Sequence, residues 1–71
     1  MMPYDQRLMP KQRLGQITGR HAEFEVFTTG DPGWLLFCVM TPLGNGHFAS
    51  TEIQHPVRLS NLKAHWKERL H

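Results

Sequence analysis

A run of seven consecutive apolar residues, Trp34 to Met40, constrains this chain more than any other feature. Turn-forming residues flank the run, with Gly30 to Gly33 before it and Pro42 to Gly46 after it. A run of this length between turns is too short for most globular helices and is typical of a strand covered on both faces. We therefore predict a central strand at residues 34–41, with alternate side chains on opposite faces.

The length and the cysteine usage limit the class of protein. A chain of 71 residues is long enough for one small domain with a single core. Its one cysteine cannot form a disulfide within the chain, and a cytoplasmic, reducing location is the simplest interpretation. No apolar run approaches the roughly 20 residues that span a membrane, so we expect no membrane partner.

Turn residues and alternating hydrophobicity divide the chain into an arm and a domain. Residues 1–11 contain two prolines and no apolar period, which predicts a flexible N-terminal arm, and residues 12–71 form the single domain. A bulge at Gly15 would turn both Leu14 and Ile17 toward the core. Predicted strands cover residues 12–18, 22–29, 34–41 and 47–53, with a break at 54–56 and a short edge segment at 57–59.

The last dozen residues have the composition of a helix. Ser60 is a good N-cap, because its hydroxyl can accept a hydrogen bond from a free backbone N–H. Leu62, Trp66 and Leu70 follow at i, i+4 and i+8, which places them in one apolar stripe. We predict an α-helix over residues 61–70 that packs this stripe against the sheet.

These elements predict an α+β fold, a three- to four-stranded antiparallel β-meander with one C-terminal α-helix packed on a face. The meander resembles small SH3-like barrels, and this resemblance implies a curled sheet but no function. One helix covers only one face of the central strand. Barrel curvature, the N-terminal arm or another chain must cover the other face, and we expect self-association, as a homodimer, or another protein partner.

Few residues offer catalytic chemistry. Cys38 lies within the apolar run, where a thiol behaves as a small hydrophobe. The five histidines lack metal-binding spacing, so we predict neither a metal nor any other cofactor. His21 and His47 lie beside turns and are the first candidates for general acid–base catalysis, and Glu23 and Glu25 share one strand face. A chain this short has no room for a cleft between those carboxylates, so we expect that the protein is not an enzyme.

The sequence favours a small non-catalytic regulatory or inhibitory protein that acts through protein–protein contact. Small size alone suggests an accessory protein of a mobile element. The predicted protein-binding residues are the apolar side chains of the central strand and the acidic pair, namely Trp34, Leu35, Phe37, Val39, Glu23 and Glu25. The alternative is an RNA- or DNA-binding module that uses basic residues of the C-terminal helix and the first strand, namely Arg13, Arg20, Arg58, Lys63 and Lys67.

Overall fold

The computed structural model describes residues 6–71, which contain one four-stranded antiparallel sheet. Its strands are β1 (Arg13–Thr18), β2 (Glu23–Thr28), β3 (Trp34–Gly44) and β4 (His47–Arg58). Their order in the sheet follows the chain, so β3 is an inner strand and β1 and β4 are the two edges. The predicted antiparallel sheet is confirmed. Within the described residues β1 and β4 do not pair with each other, so the sheet stays open.

A bulge interrupts β1 where the sequence predicts one. The pairing with β2 shifts register between Arg13 and Gly15, and Gly15 has a φ of +152°, a conformation that favours glycine. Ile17 is in the core at 7% exposure, whereas Leu14 is 37% exposed. The prediction that both residues point inward is therefore wrong for Leu14.

The hairpin of β3 and β4 is longer than the sequence predicts. Its turn contains Asn45 at φ 55° and Gly46 at φ 78°, as expected for an Asn-Gly turn. The predicted break at residues 54–56 is wrong, because β4 continues to Arg58 with Pro56 paired opposite Leu36. An edge strand tolerates proline, since its missing N–H can lie on the unpaired side. The irregularity occurs earlier, where pairing shifts register between Cys38 and Met40.

The C-terminal α-helix is not formed, so the predicted α+β class is wrong. Residues 59–71, here called the tail, contain only two 3-10 helices, Leu59–Asn61 and Trp66–Arg69. Leu62 between them is extended, at φ −94° and ψ 149°, and Ser60 lies inside the first 3-10 helix without capping a longer one. A helix of about ten residues is marginal in water, because nucleation fixes several residues for the first hydrogen bond. Packing against the sheet therefore decides the conformation here.

The tail nevertheless covers one face of the sheet, here called the tail face. The core on this side consists of Ile17, Val26 and Leu35, which are 7%, 0% and 4% exposed. Partly buried side chains from the sheet and from the tail pack against it, namely Phe24, Phe37, Leu59, Leu62, Trp66 and Leu70. The apolar residues expected on the helix thus make the expected contact with the sheet without forming an α-helix.

The opposite face of β3 is also covered within this chain. Leu36, Cys38 and Met40 are 2%, 5% and 8% exposed. A 3-10 helix at Gln6–Leu8, in the predicted arm, lies close to β3. The part of that arm at residues 1–5 lies outside the described residues. An uncovered face of β3 therefore no longer argues for an obligate partner.

Candidate functional site

The C-terminal residue occupies part of the outer edge of β1. The amide of His71 donates to the carbonyl of Gln16 at 2.8 Å, and the amide of Gln16 donates to the carbonyl of His71 at 2.7 Å. A Cβ at Gly15 would lie 3.1 Å from the His71 carbonyl, so glycine is needed for this approach. One edge of the sheet is thus paired with the chain's own end.

A buried carboxylate lies beside this edge. Glu23 has a side chain that is 7% exposed, and it accepts hydrogen bonds from Thr18 Oγ1 at 2.7 Å and from Gln16 Nε2 at 3.1 Å. His71 Nε2 lies 3.2 Å from the same carboxylate and 3.4 Å from the Thr18 hydroxyl. In a catalytic triad one ring nitrogen of the histidine faces the carboxylate and the other faces the hydroxyl. Here one nitrogen faces both groups, so the arrangement does not activate the Thr18 hydroxyl.

The second carboxylate of the predicted acidic pair is also engaged within the sheet. Glu25 accepts from Arg13 Nε at 2.6 Å and from Ser50 Oγ at 2.7 Å, and these hydrogen bonds hold its pKa below the ordinary value of 4.5. Cys38 pairs opposite Glu25 across β2 and β3. Burial and then the Glu25 charge raise the pKa of the Cys38 thiol, which makes it a poor nucleophile at neutral pH.

The apolar residues predicted to bind a protein lie in different environments. Leu35 is in the core at 4% exposure, and Phe37 packs edge-to-face on Phe24 with ring centroids 5.8 Å apart. Val39 is half-buried, and its carbonyl accepts from the Thr51 hydroxyl at 2.7 Å. Trp34 is half-buried at the start of β3. Their role in protein binding stays a prediction, and in the isolated chain Leu35 is closed to a partner.

Three of the exposed large apolar side chains, including the two most exposed ones, lie instead on the β3–β4 hairpin. Leu43 is 66% exposed, Ile53 is 56% exposed and Phe48 is 38% exposed. Within residues 6–71 no other segment pairs with the outer edge of β4. Sequence reasoning missed this surface, although the mixed polarity of both faces of strand 47–53 was a signal that neither face is fully buried.

The five basic residues of the nucleic-acid alternative do not form one helical face. Arg13 is paired with Glu25, and Arg20 is exposed in the turn between β1 and β2. The Arg58 guanidinium lies over the Trp34 ring, with its Cζ 4.9 Å from the ring centroid. Lys67 Nζ is 5.9 Å from the centroid of the Trp66 ring. Lys63 is exposed and lines the groove on the other side of Trp66.

Among the described residues, open grooves border the sheet, and three of them contain residues discussed above. The first, about 470 Å³ in volume, lies between Trp34 and Trp66. The second, about 400 Å³, lies between the tail and the tail face and includes His65. The third, about 490 Å³, lies at the other end of the strands and includes His21 beside Glu23. His47 is exposed at the start of β4, and it does not line any of these three grooves.

Within residues 6–71 no group of three or more histidine, cysteine, aspartate or glutamate side chains could hold a metal ion. The same residues contain no helix of the length and hydrophobicity required to cross a membrane. No protein-family model, curated protein or solved structure matches the chain.

Proposed function

We propose that this chain is a small non-catalytic binding protein that acts, as a regulator or inhibitor, through contact with another protein. The observation that carries the proposal is the β3–β4 hairpin, which combines exposed Leu43, Phe48 and Ile53 with a strand edge that no segment of residues 6–71 pairs with. Main-chain groups of an edge strand can pair with an extended segment of a partner, while neighbouring apolar side chains select its sequence. The occupant we propose is therefore an extended segment of the target protein.

The two edges of the sheet support this choice of surface. The edge of β1 is paired with His71 at Gln16, so a partner strand there would have to displace the tail. The edge of β4 needs no such displacement. Over its first five residues, His47 to Thr51, it also lacks the proline and the charged side chains that proteins use to protect edges.

The polar clusters support a role without catalysis. Glu23, Glu25 and the Thr18 hydroxyl each bond to neighbours in the sheet, and Cys38 is buried with a raised pKa. A nucleophile, a base and a free substrate position do not meet at these groups.

A comparison of two bait variants tests the proposal. Wild-type protein, Ile53→Lys and Met9→Lys are each used to capture proteins from the native cell, and captured proteins are quantified by mass spectrometry. Met9 is the matched control, because it is 44% exposed but lies outside the hairpin. We expect one target that wild-type protein and Met9→Lys retain equally and that Ile53→Lys loses by about tenfold or more.

The purified target then gives the direct measurement. Amides of β4 should become protected from hydrogen exchange when the target is added, while the Gln16 amide of β1 is unchanged. If Ile53→Lys captures the target as well as wild-type protein does, the proposed surface is wrong. Sedimentation that shows a dimer sensitive to Ile53→Lys would instead identify a second copy of this chain as the occupant.

A further inference from the structure

The groove between Trp34 and Trp66 has a chemistry that the proposed protein-binding surface does not use. It lies at the end of the sheet where β3 begins, and its volume is about 470 Å³. Leu14, Leu35 and Leu59 also line it. Two indole rings at one groove offer flat apolar faces of the kind on which planar groups stack.

Positive charge accompanies both rings. The Arg58 guanidinium lies 4.9 Å from the centroid of the Trp34 ring, and Lys67 Nζ lies 5.9 Å from the centroid of the Trp66 ring. Asp31 is the one acidic residue among the described residues that line the groove, and its Oδ1 accepts from the Gly33 amide at 2.9 Å. Lys67 lines the groove, whereas Arg58 is not among its lining residues and adjoins it through the Trp34 ring. With Arg58 counted, two cations stand against one carboxylate, which favours an anionic ligand.

We infer that this groove binds single-stranded nucleic acid. Bases stack on Trp34 and Trp66, and backbone phosphates contact Arg58 and Lys67. Proteins that bind single strands combine aromatic platforms with cations in this way, and a base can also stack on an arginine guanidinium. An uncharged sugar would use the rings but not the cations. This site uses two of the five basic residues that the sequence analysis named for nucleic-acid binding. The exposed apolar residues of the β3–β4 hairpin do not line it.

Tryptophan fluorescence measures this binding directly, because both indoles of the chain line the groove. The full chain is titrated with oligothymidylate of about ten nucleotides, a length within the usual range of single-strand sites. We expect quenching that saturates, with an affinity that falls about sevenfold as salt rises from about 50 to 200 mM, as two phosphate contacts on a single strand predict. Poly-glutamate serves as an anion without bases and should not quench.

Three charge variants locate the site. Arg58→Gln and Lys67→Gln should each weaken binding about three- to tenfold and lower the salt slope by about one. Lys63→Gln is the matched control, because Lys63 is exposed and lines a different groove, and it should bind as wild type. Trp34→Leu tests stacking and should weaken binding about tenfold, measured through Trp66 quenching. Circular dichroism of each variant verifies that the sheet is folded.

Several results would overturn the inference. The inference is wrong if the oligonucleotide does not quench the fluorescence at about 50 mM salt, or if Lys63→Gln and Lys67→Gln lose affinity equally. It is also wrong if poly-glutamate at equal charge displaces the oligonucleotide. Ile53→Lys should leave oligonucleotide binding unchanged, so failure at this groove is distinguishable from failure of the proposed protein-binding surface.

Discussion

The two edges of this sheet differ in what lies against them. At β1, the last residue of the chain exchanges backbone hydrogen bonds with Gln16, and its imidazole reaches the buried Glu23. At β4, no other part of residues 6–71 pairs with the outer edge. Unpaired edges are sites of unwanted association, and proteins usually protect them. Within residues 6–71, His71 pairs with one edge and no segment pairs with the other.

The difference shows that the β1 edge and the tail face belong to one unit. The tail packs Leu62, Trp66 and Leu70 on the sheet and ends beside Gln16, so side-chain burial and edge pairing are formed together. Beyond its ladder with β3, β4 bonds to β2 through Ser50 and Glu25, but within residues 6–71 no backbone group pairs with its outer edge. We therefore expect changes near β1 and the tail to affect folding, and changes on β4 to affect binding.

The largest expected effect is the loss of the Trp66 side chain. Trp66→Ala removes an indole that packs on the core cluster, and because it is half-buried we expect about 3 kcal/mol less free energy of unfolding in urea. Ile53→Ala on β4 is the control and should change that free energy by less than about 0.5 kcal/mol. Equal losses in the two variants would remove the distinction between the edges.

A smaller effect is expected for a methyl group at Gly15. Gly15→Ala is strained at φ +152°, and its Cβ would crowd the His71 carbonyl at 3.1 Å, so we expect a loss of about 2 kcal/mol and faster hydrogen exchange at the Gln16 amide. Gly44→Ala is the matched control, because Gly44 has φ +94° but no atom within 4 Å of the added Cβ. Wild-type exchange at Gln16 in the Gly15 variant would show that the tail does not need this glycine.

The Glu23 carboxylate should contribute about 1.5 kcal/mol. Glu23→Ala leaves Gln16, Thr18 and His71 without their common acceptor in a partly buried place, and the free energy of unfolding should fall accordingly. Glu52→Ala, an exposed carboxylate on β4, is the control and should be neutral. If the two alanine variants are equally stable, Glu23 does not hold the β1 edge.

The smallest expected effect is the change in stability at low pH that comes from the Glu25 carboxylate. Its pKa is lowered in the folded chain, so its contribution to stability is present above the unfolded value of about 4.5 and is lost as pH falls below that value through the folded-state pKa. Arg13 of β1 and then Ser50 of β4 cause the lowering. In an NMR titration of the carboxyl group, Arg13→Gln should raise the pKa of Glu25 more than Ser50→Ala does. If Ser50→Ala raises the pKa of Glu25 more than Arg13→Gln does, the bond from Arg13 of β1 is not the stronger of the two.

Local patterns in the sequence predicted most of the sheet. The apolar run at 34–40, the turn at Asn45-Gly46 and the bulge at Gly15 each occur as expected, because strand alternation and turn conformation depend on neighbouring residues. The candidate surfaces were harder to predict. Trp34 and Trp66 meet at one groove although they are 32 positions apart, and no local pattern encodes that distance.

The sequence by itself determined that the chain forms an antiparallel meander with β3 inside it, since only such a strand buries seven consecutive apolar residues on two faces. Only the tertiary structure decided the conformation of the tail. Leu62, Trp66 and Leu70 have helical spacing, but their burial against the sheet and the pairing of His71 with Gln16 favour short 3-10 helices joined by extended residues. A short helix gains too little from its own hydrogen bonds to outweigh those contacts.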